Sequence, residues 1–167
     1  MEQGTAYLGL GSNLGDRAAN LLQALAELTR RGLGIHTLSS IYETDPVGYL
    51  DQPAFLNMAA KIDCRGWDPW RLLRCCLETE EKLGRRREIP QGPRTIDIDL
   101  LLFDDWFVNG TVEGVELILP HPRMQARRFV LEPLCEIDPR ILHPVLGVTV
   151  AELLDRLDDR AGVAIYH

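Results

Sequence analysis

The hydrophobic and polar positions divide the chain into short, well-punctuated elements. Residues 5–10 (TAYLGL) are apolar and read as a strand, and the turn GSNLGD follows. From residue 17 to 31 the leucines Leu21, Leu22, Leu25 and Leu28 recur at helical spacing, with Asp16 as the N-cap. Residues 35–44, rich in β-branched and aromatic side chains, predict a second strand, and DPVGYLDQP (45–53) predicts a Pro/Gly loop. Residues 55–64 alternate as a third strand: Leu56, Met58, Ala60 and Ile62 point one way, Phe55, Asn57, Ala59 and Lys61 the other. Asp68-Pro69 opens a second helix as N-cap and first helical residue; Leu72, Leu73, Cys76 and Leu77 face inward, and Gly84 stops it.

The next strand, 95–103, carries a puzzle. Ile96, Ile98, Leu100 and Leu102 line one face, and Asp97 and Asp99 share the other with Cα atoms about 6.6 Å apart. Two carboxylates that close repel unless a cation lies between them. A divalent metal resolves the conflict; a half-solvated sheet face carrying two acids is the alternative. Asp104-Asp105 turns the chain into 106–109, Asn109-Gly110 makes a second turn, and after PHP (120–122) a helical or irregular segment runs to residue 134. A last short helix spans about 151–157, capped by Thr149. The order β-α-β-β-α-β predicts an α+β, ferredoxin-like sheet with both helices on one face, plus an extra hairpin and C-terminal helices. Long loops are expected over the opposite face.

Composition narrows the function. At 167 residues, 46% apolar and 26% charged, the chain is expected to form a single domain, 1–167. It has no apolar run long enough for a membrane span and no signal-peptide pattern. The four cysteines have no CxxC spacing and read as reduced thiols of a cytoplasmic protein. The net charge of −7 argues against nucleic acid as a partner. The positive charge is almost all arginine, and it clusters: Arg85, Arg86, Arg87 and Arg94 in one stretch, and Arg123, Arg127 and Arg128 with His121 in another. Arginine forks suit phosphate, so a small polyanion is the expected ligand; solvated charged loops are the alternative.

The glycine-rich LGLGSNLGDR (8–17) is neither a Walker A loop nor a good dinucleotide fingerprint, and its glycines read as a tight strand-to-helix turn. Phe55 and Asn57 share the sheet face of Asp97 and Asp99, which together describe a pocket for a planar heteroaromatic ligand beside a metal. His121, held between Pro120 and Pro122, is either structural or a phosphate contact.

Taken together, LGLGSNLGDR (8–17), ETDPVGYLDQPAFLN (43–57), LGRRR (83–87), GPRTIDIDLLLF (92–103) and LPHPRMQARRFVLEPL (119–134) resemble the 6-hydroxymethyl-7,8-dihydropterin pyrophosphokinase family of folate biosynthesis, in order and over about residues 6–146. The resemblance implies a ferredoxin-like fold and diphosphate transfer from ATP to 6-hydroxymethyl-7,8-dihydropterin, releasing AMP, with two Mg2+ ions. It implies metal binding by Asp97 and Asp99, and a pterin pocket of Thr44, Val47, Gly48, Phe55, Asn57 and Phe129. It implies nucleotide and phosphate contacts from Arg85, Arg87, Arg94, His121 and Arg127, with Glu80 and Leu100 nearby; a monomer is expected. Three features depart from the family pattern: Gln91 replaces a common Trp, the arginine loop is shorter than in some members, and Asp45 stands where Pro is common. A ligand sensor without turnover, or an RNA platform, is the rival class for such a fold, and the acidic pair disfavours RNA.

Overall fold

The computed structural model describes residues 4–84, 92–158 and 162–167. Strand β1 (Thr5–Ser12) leads into helix α1 (Arg17–Arg30), followed by β2 (Gly34–Leu38), β3 (Tyr42–Thr44) and β4 (Phe55–Asp63). Helix α2 (Pro69–Lys82), strand β5 (Asp97–Phe103) and the hairpin β6 (Val108–Val112) and β7 (Val115–Leu119) come next. A 3-10 turn (Met124–Ala126), α3 (Arg128–Ile137), α4 (Val150–Asp155) and β8 (Val163–Ile165) complete the described residues. The predicted caps form: Asp16 accepts from the Ala19 N–H, Asp68 from Arg71 and Thr149 from Glu152, each satisfying an amide that has no partner within its helix.

The main sheet is antiparallel at every pairing and runs β5-β1-β4-β3-β8, with β2 also on β4 beside β3. The single strand expected over 35–44 is broken. Leu38 pairs with Ala60 and Tyr42 with Asn57, so the chain spends an extra residue between them, and the Ser40 N–H turns away to the Glu136 carboxylate. Such an insertion bends the strand and re-aims the residues beyond it.

One sheet face packs on α1 and α2. Leu8, Leu10, Leu56, Ile62 and Ile98 meet Leu21, Leu28, Leu72 and Cys76, all at most 4% exposed. Burying each leucine or isoleucine contributes roughly 1.5–3 kcal/mol. The helix stripes differ from expectation in register. Leu22 is 59% exposed and Leu77 37%, while Ala24, Cys75 and Thr79 are buried. Positions 21, 24, 25 and 28, and 72, 75, 76 and 79, follow the i, i+3, i+4, i+7 spacing; Leu22 and Leu77 fall a residue off it and are exposed, while Leu73, also a residue off, still packs partly buried against the core.

The opposite face is covered in part by α3 and α4 rather than by loops. Val130, Leu131 and Leu134 of α3 and Val150 and Leu153 of α4 pack on Tyr7, Ala59, Leu101 and Leu102. Simple alternation places Leu102 beside Leu100, but a bulge intervenes: Tyr7 pairs with Leu102 and Leu8 with Leu100, leaving Leu101 extra. Leu101 and Leu102 therefore both serve the second core, and Phe103 returns to the first. The expected Asn109-Gly110 turn lies inside β6, where Gly110 pairs with Leu117. The hairpin instead turns at Glu113 and Gly114, whose φ values of 52° and 77° meet the demand of a two-residue loop for two positive φ angles. Among the described residues, no helix is long and apolar enough to cross a membrane.

Candidate active site

Asp97 and Asp99 alternate with Ile98 and Leu100 on β5, so both carboxylates lie on the face turned away from α1 and α2. Opposite them on β1 stand Gly11 and Gly9, paired with Asp97 and Asp99 respectively. These glycines keep the sheet floor bare. A Cβ on Gly11 would come within 2.6 Å of Asn57 Oδ1, so Asn57 has its place only because residue 11 has no side chain. The expectation that the glycine-rich stretch is a turn holds only for Gly15, with φ 67°; Gly9 and Gly11 are strand residues that make room. Asn57 Nδ2 donates to Thr44 Oγ1 at 2.6 Å, and both groups are buried.

Thr44, Asp45, Val47, Phe55, Asn57 and Phe129 line a cavity of about 80 Å3 above this floor. Five of the six residues expected in one pocket are thus brought together. Gly48, the sixth, is not part of the lining; it takes φ 83° in the adjacent loop. A wider groove of about 740 Å3 runs beside the cavity, between α2, β5, β7 and His121. Its wall contains Leu73 and Leu77, two leucines off the buried stripe of α2, together with Glu80 and Leu100. Glu80 is buried and its Oε2 accepts from the Ile98 N–H at 2.9 Å, which fixes the strand next to Asp97. Among the described residues, four belong to both cavity and groove: Arg94, Asp97, Asp99 and Arg127.

Asn13 ties this junction together, and nothing in its sequence setting distinguishes it from a turn asparagine. It is 2% exposed. Its Oδ1 accepts from the Arg94 N–H at 2.8 Å, and its own N–H donates to the Arg94 carbonyl at 3.0 Å. Its Nδ2 donates to Gln52 Oε1 and the Pro53 carbonyl, at 2.9 and 3.0 Å. The loop beside the cavity and the start of β5 are thereby held to one residue. The Arg94 guanidinium in turn donates to Asp97 Oδ2 at 3.0 Å.

The groove side is electrically prepared for an anion. Burial, then the Arg127 and Arg123 charges, push the His121 pKa down to about 4, so the imidazole is neutral at neutral pH. Burial also lowers the pKa of Arg127, the reverse of what a well-compensated guanidinium shows; its cation lies 5.4 Å from the Phe129 ring centre. Asp97 and Asp99 offset these effects only in part, and a phosphate would add further negative charge beside Arg127. Arg85, Arg87 and Gln91 lie outside the described residues.

Residues 7–139 match the model of the 7,8-dihydro-6-hydroxymethylpterin-pyrophosphokinase (HPPK) family. The chain belongs to the HPPK family. It is 50% identical over 133 residues to the 2-amino-4-hydroxy-6-hydroxymethyldihydropteridine pyrophosphokinase of Bacillus subtilis (strain 168), covering 79% of this chain and 77% of that one. It is 45% identical over 154 residues to the Methylorubrum extorquens protein of the same name, covering 92% and 93%. It also matches 162 residues of the Schizosaccharomyces pombe folic acid synthesis protein fol1 at 40% identity, 96% of this chain but 21% of that protein. The wild-type Plasmodium falciparum HPPK-DHPS crystal structure superposes with a TM-score of 0.73 over 92% of this chain and 44% of that one; at 18% identity it speaks for the fold alone.

Against the HPPK expectation of magnesium, the donor chemistry fits. No group of three or more His, Cys, Asp or Glu that could enclose a metal occurs among the described residues. Magnesium does not need one: it takes one or two carboxylates and completes its shell with water and substrate phosphates. Asp97 and Asp99 at the junction of two cavities supply that donor set. The cysteines do not compete for the role. All four are free, none lines the cavity or the groove, and burial pushes the Cys64 thiol up to about 12.

Proposed function

We propose that this chain transfers diphosphate from ATP to the hydroxymethyl group of 6-hydroxymethyl-7,8-dihydropterin and releases AMP. The observation that carries the reading is the shared wall. Among the described residues, a small cavity and a wider groove meet at two aspartates and two arginines, and a phosphoryl-type transfer between two ligands is served by that arrangement. In this reading the pterin ring occupies the cavity between Phe55 and Phe129, with Asn57 and Thr44 on its polar edge and Val47 and Gly48 toward the loop. The adenine and ribose lie in the groove against Leu73, Leu77, Leu100 and Glu80. The phosphates reach back to His121, Arg127 and Arg94, and Arg85 and Arg87 contribute from the loop before β5.

Asp97 and Asp99 would hold two magnesium ions, which neutralise phosphate oxygens and bring the two reactants together. Arg94 pairs with Asp97; were that carboxylate to hold metal, the guanidinium would be released toward the phosphates, where it would offset the charge that develops on the transferred group and on AMP. In this reading Asp97 also accepts the hydroxyl proton. No covalent intermediate is needed, in keeping with cysteines that line neither compartment. The wider reading is of a single pyrophosphokinase domain, 1–167, that works as a monomer in the cytoplasm on these two substrates, without nucleic acid or membrane. Its ferredoxin-like assignment is supported by the antiparallel order β5-β1-β4-β2 with α1 and α2 on one face.

The test is incubation with ATP, magnesium and the reduced hydroxymethylpterin, with AMP as the readout. The expected result is AMP in amounts matching pterin diphosphate, dependent on both pterin and magnesium. Binding of both ligands with no AMP would make the chain a sensor and overturn the proposal.

A further inference from the structure

Strand β8 has no counterpart among the elements that the sequence pattern predicts, and it lies against the lip of the cavity. It extends β3, the three-residue strand that carries Thr44, with Thr44 opposite Val163. Beyond that pair the contact continues through Asp45. The Asp45 N–H donates to the Gly162 carbonyl at 3.0 Å, and the Gly162 N–H donates to Asp45 Oδ2 at 2.8 Å. Gly162 fits closely, since a Cβ there would come 2.8 Å from Asp45 Oδ2. On the other side Thr44 Oγ1 accepts from Asn57, so a line of hydrogen bonds runs from the C-terminal strand through the lip to the cavity floor.

We infer that β8 is a positioning element for the cavity and that Asp45 is the residue through which it acts. The inference rests on the functional reading above, in which this cavity takes the pterin. A three-residue strand paired on one side only has little to fix it. With β8 in place, Thr44 is held from both sides and Asp45 is held by Gly162, and the cavity keeps its shape before ligand arrives. Preorganisation of this kind is read in ligand affinity. Asp45 lines the cavity, but its Oδ2 is engaged outward by Gly162, so its part is to hold the lip rather than to charge the ligand.

The experiment titrates four proteins, the wild type, Asp45→Ala, Asp45→Asn and Gly162→Ala, with 6-hydroxymethyl-7,8-dihydropterin and, separately, with a non-hydrolysable ATP analogue. Asp45→Ala and Gly162→Ala should each weaken pterin binding by roughly three- to tenfold, the size of one lost hydrogen bond to a charged group near solvent. Asp45→Asn keeps an acceptor for the Gly162 N–H and should bind the pterin within about twofold of wild type. The nucleotide analogue should bind all four alike. Unchanged pterin affinity in Gly162→Ala would overturn the inference. So would an Asp45→Asn as weak as Asp45→Ala, which would mean that the charge acts on the ligand, or a parallel loss of nucleotide affinity, which would mean general damage. A wild-type chain that binds no pterin would overturn the functional reading instead.

Discussion

The cavity and the groove are built on opposite principles. In and beside the cavity, polar groups are already committed to one another: Asn57 to Thr44 on its floor, and Asn13 to Gln52 and Pro53 in the adjoining loop, each at hydrogen-bonding distance. In the groove, leucines from α2 stand partly exposed, a neutral histidine faces two arginines, and the volume is several times larger. Shape therefore selects the ligand of the cavity, and charge and apolar area select that of the groove. The arrangement suits a pair of substrates in which one is a rigid ring and the other a flexible polyanion.

The comparison breaks first at the shared wall. If Asp97 and Asp99 hold the metal as proposed, Asp97→Ala or Asp99→Ala should reduce AMP production by about a thousandfold or more while the fold persists, because both compartments lose a shared carboxylate at once. Circular dichroism with the AMP assay checks this; either variant retaining near-wild-type, magnesium-dependent turnover would remove the metal assignment.

The charge of the groove is visible in pH dependence. His121 has a folded pKa near 4, below its ordinary 6.5, so the unfolded chain binds the proton more readily. The associated stability is fully present above pH 6.5 and is lost as pH falls toward 4, by about 2–3 kcal/mol at most. Urea midpoints measured from pH 7 to pH 4 should fall more steeply for the wild type than for His121→Gln. Parallel curves would show that the imidazole is not held neutral by its surroundings.

The shape of the cavity is tested by a single methyl. Gly11→Ala would place a Cβ against Asn57 Oδ1 and should weaken pterin binding about 10- to 50-fold, with nucleotide binding unchanged. Calorimetry with each ligand decides it.

Alternation and caps make much of this legible in the sequence. The face shared by Phe55, Asn57, Asp97 and Asp99, and the N-caps Asp16, Asp68 and Thr149, obey local rules that the tertiary structure leaves intact. The features that escape depend on neighbours distant in sequence. Leu102 changes face because a bulge opposite Tyr7 adds a residue, and a period-two count cannot register an insertion. Asn109-Gly110 has turn chemistry, yet Glu113-Gly114 makes the turn, because pairing of the flanking strands outweighs a dipeptide preference. Gly9 and Gly11 look like loop glycines because their reason for being small is Asn57 and the open floor, contributed by a distant part of the chain. Asn13 and β8 carry no local signal, since each takes its meaning from a partner elsewhere, Arg94 and the β3 edge. Arg85 and Arg87 remain assigned by the motif that surrounds them.

The central claim is that two separate compartments converge on one shared wall of aspartates and arginines, and calorimetry on Asn57→Ala and His121→Ala with each ligand tests it most directly. The prediction is a crossing: Asn57→Ala loses about tenfold in pterin affinity and keeps its nucleotide affinity, while His121→Ala loses about five- to tenfold for the nucleotide and keeps the pterin. Equal loss of both ligands in either variant would contradict the division into two compartments.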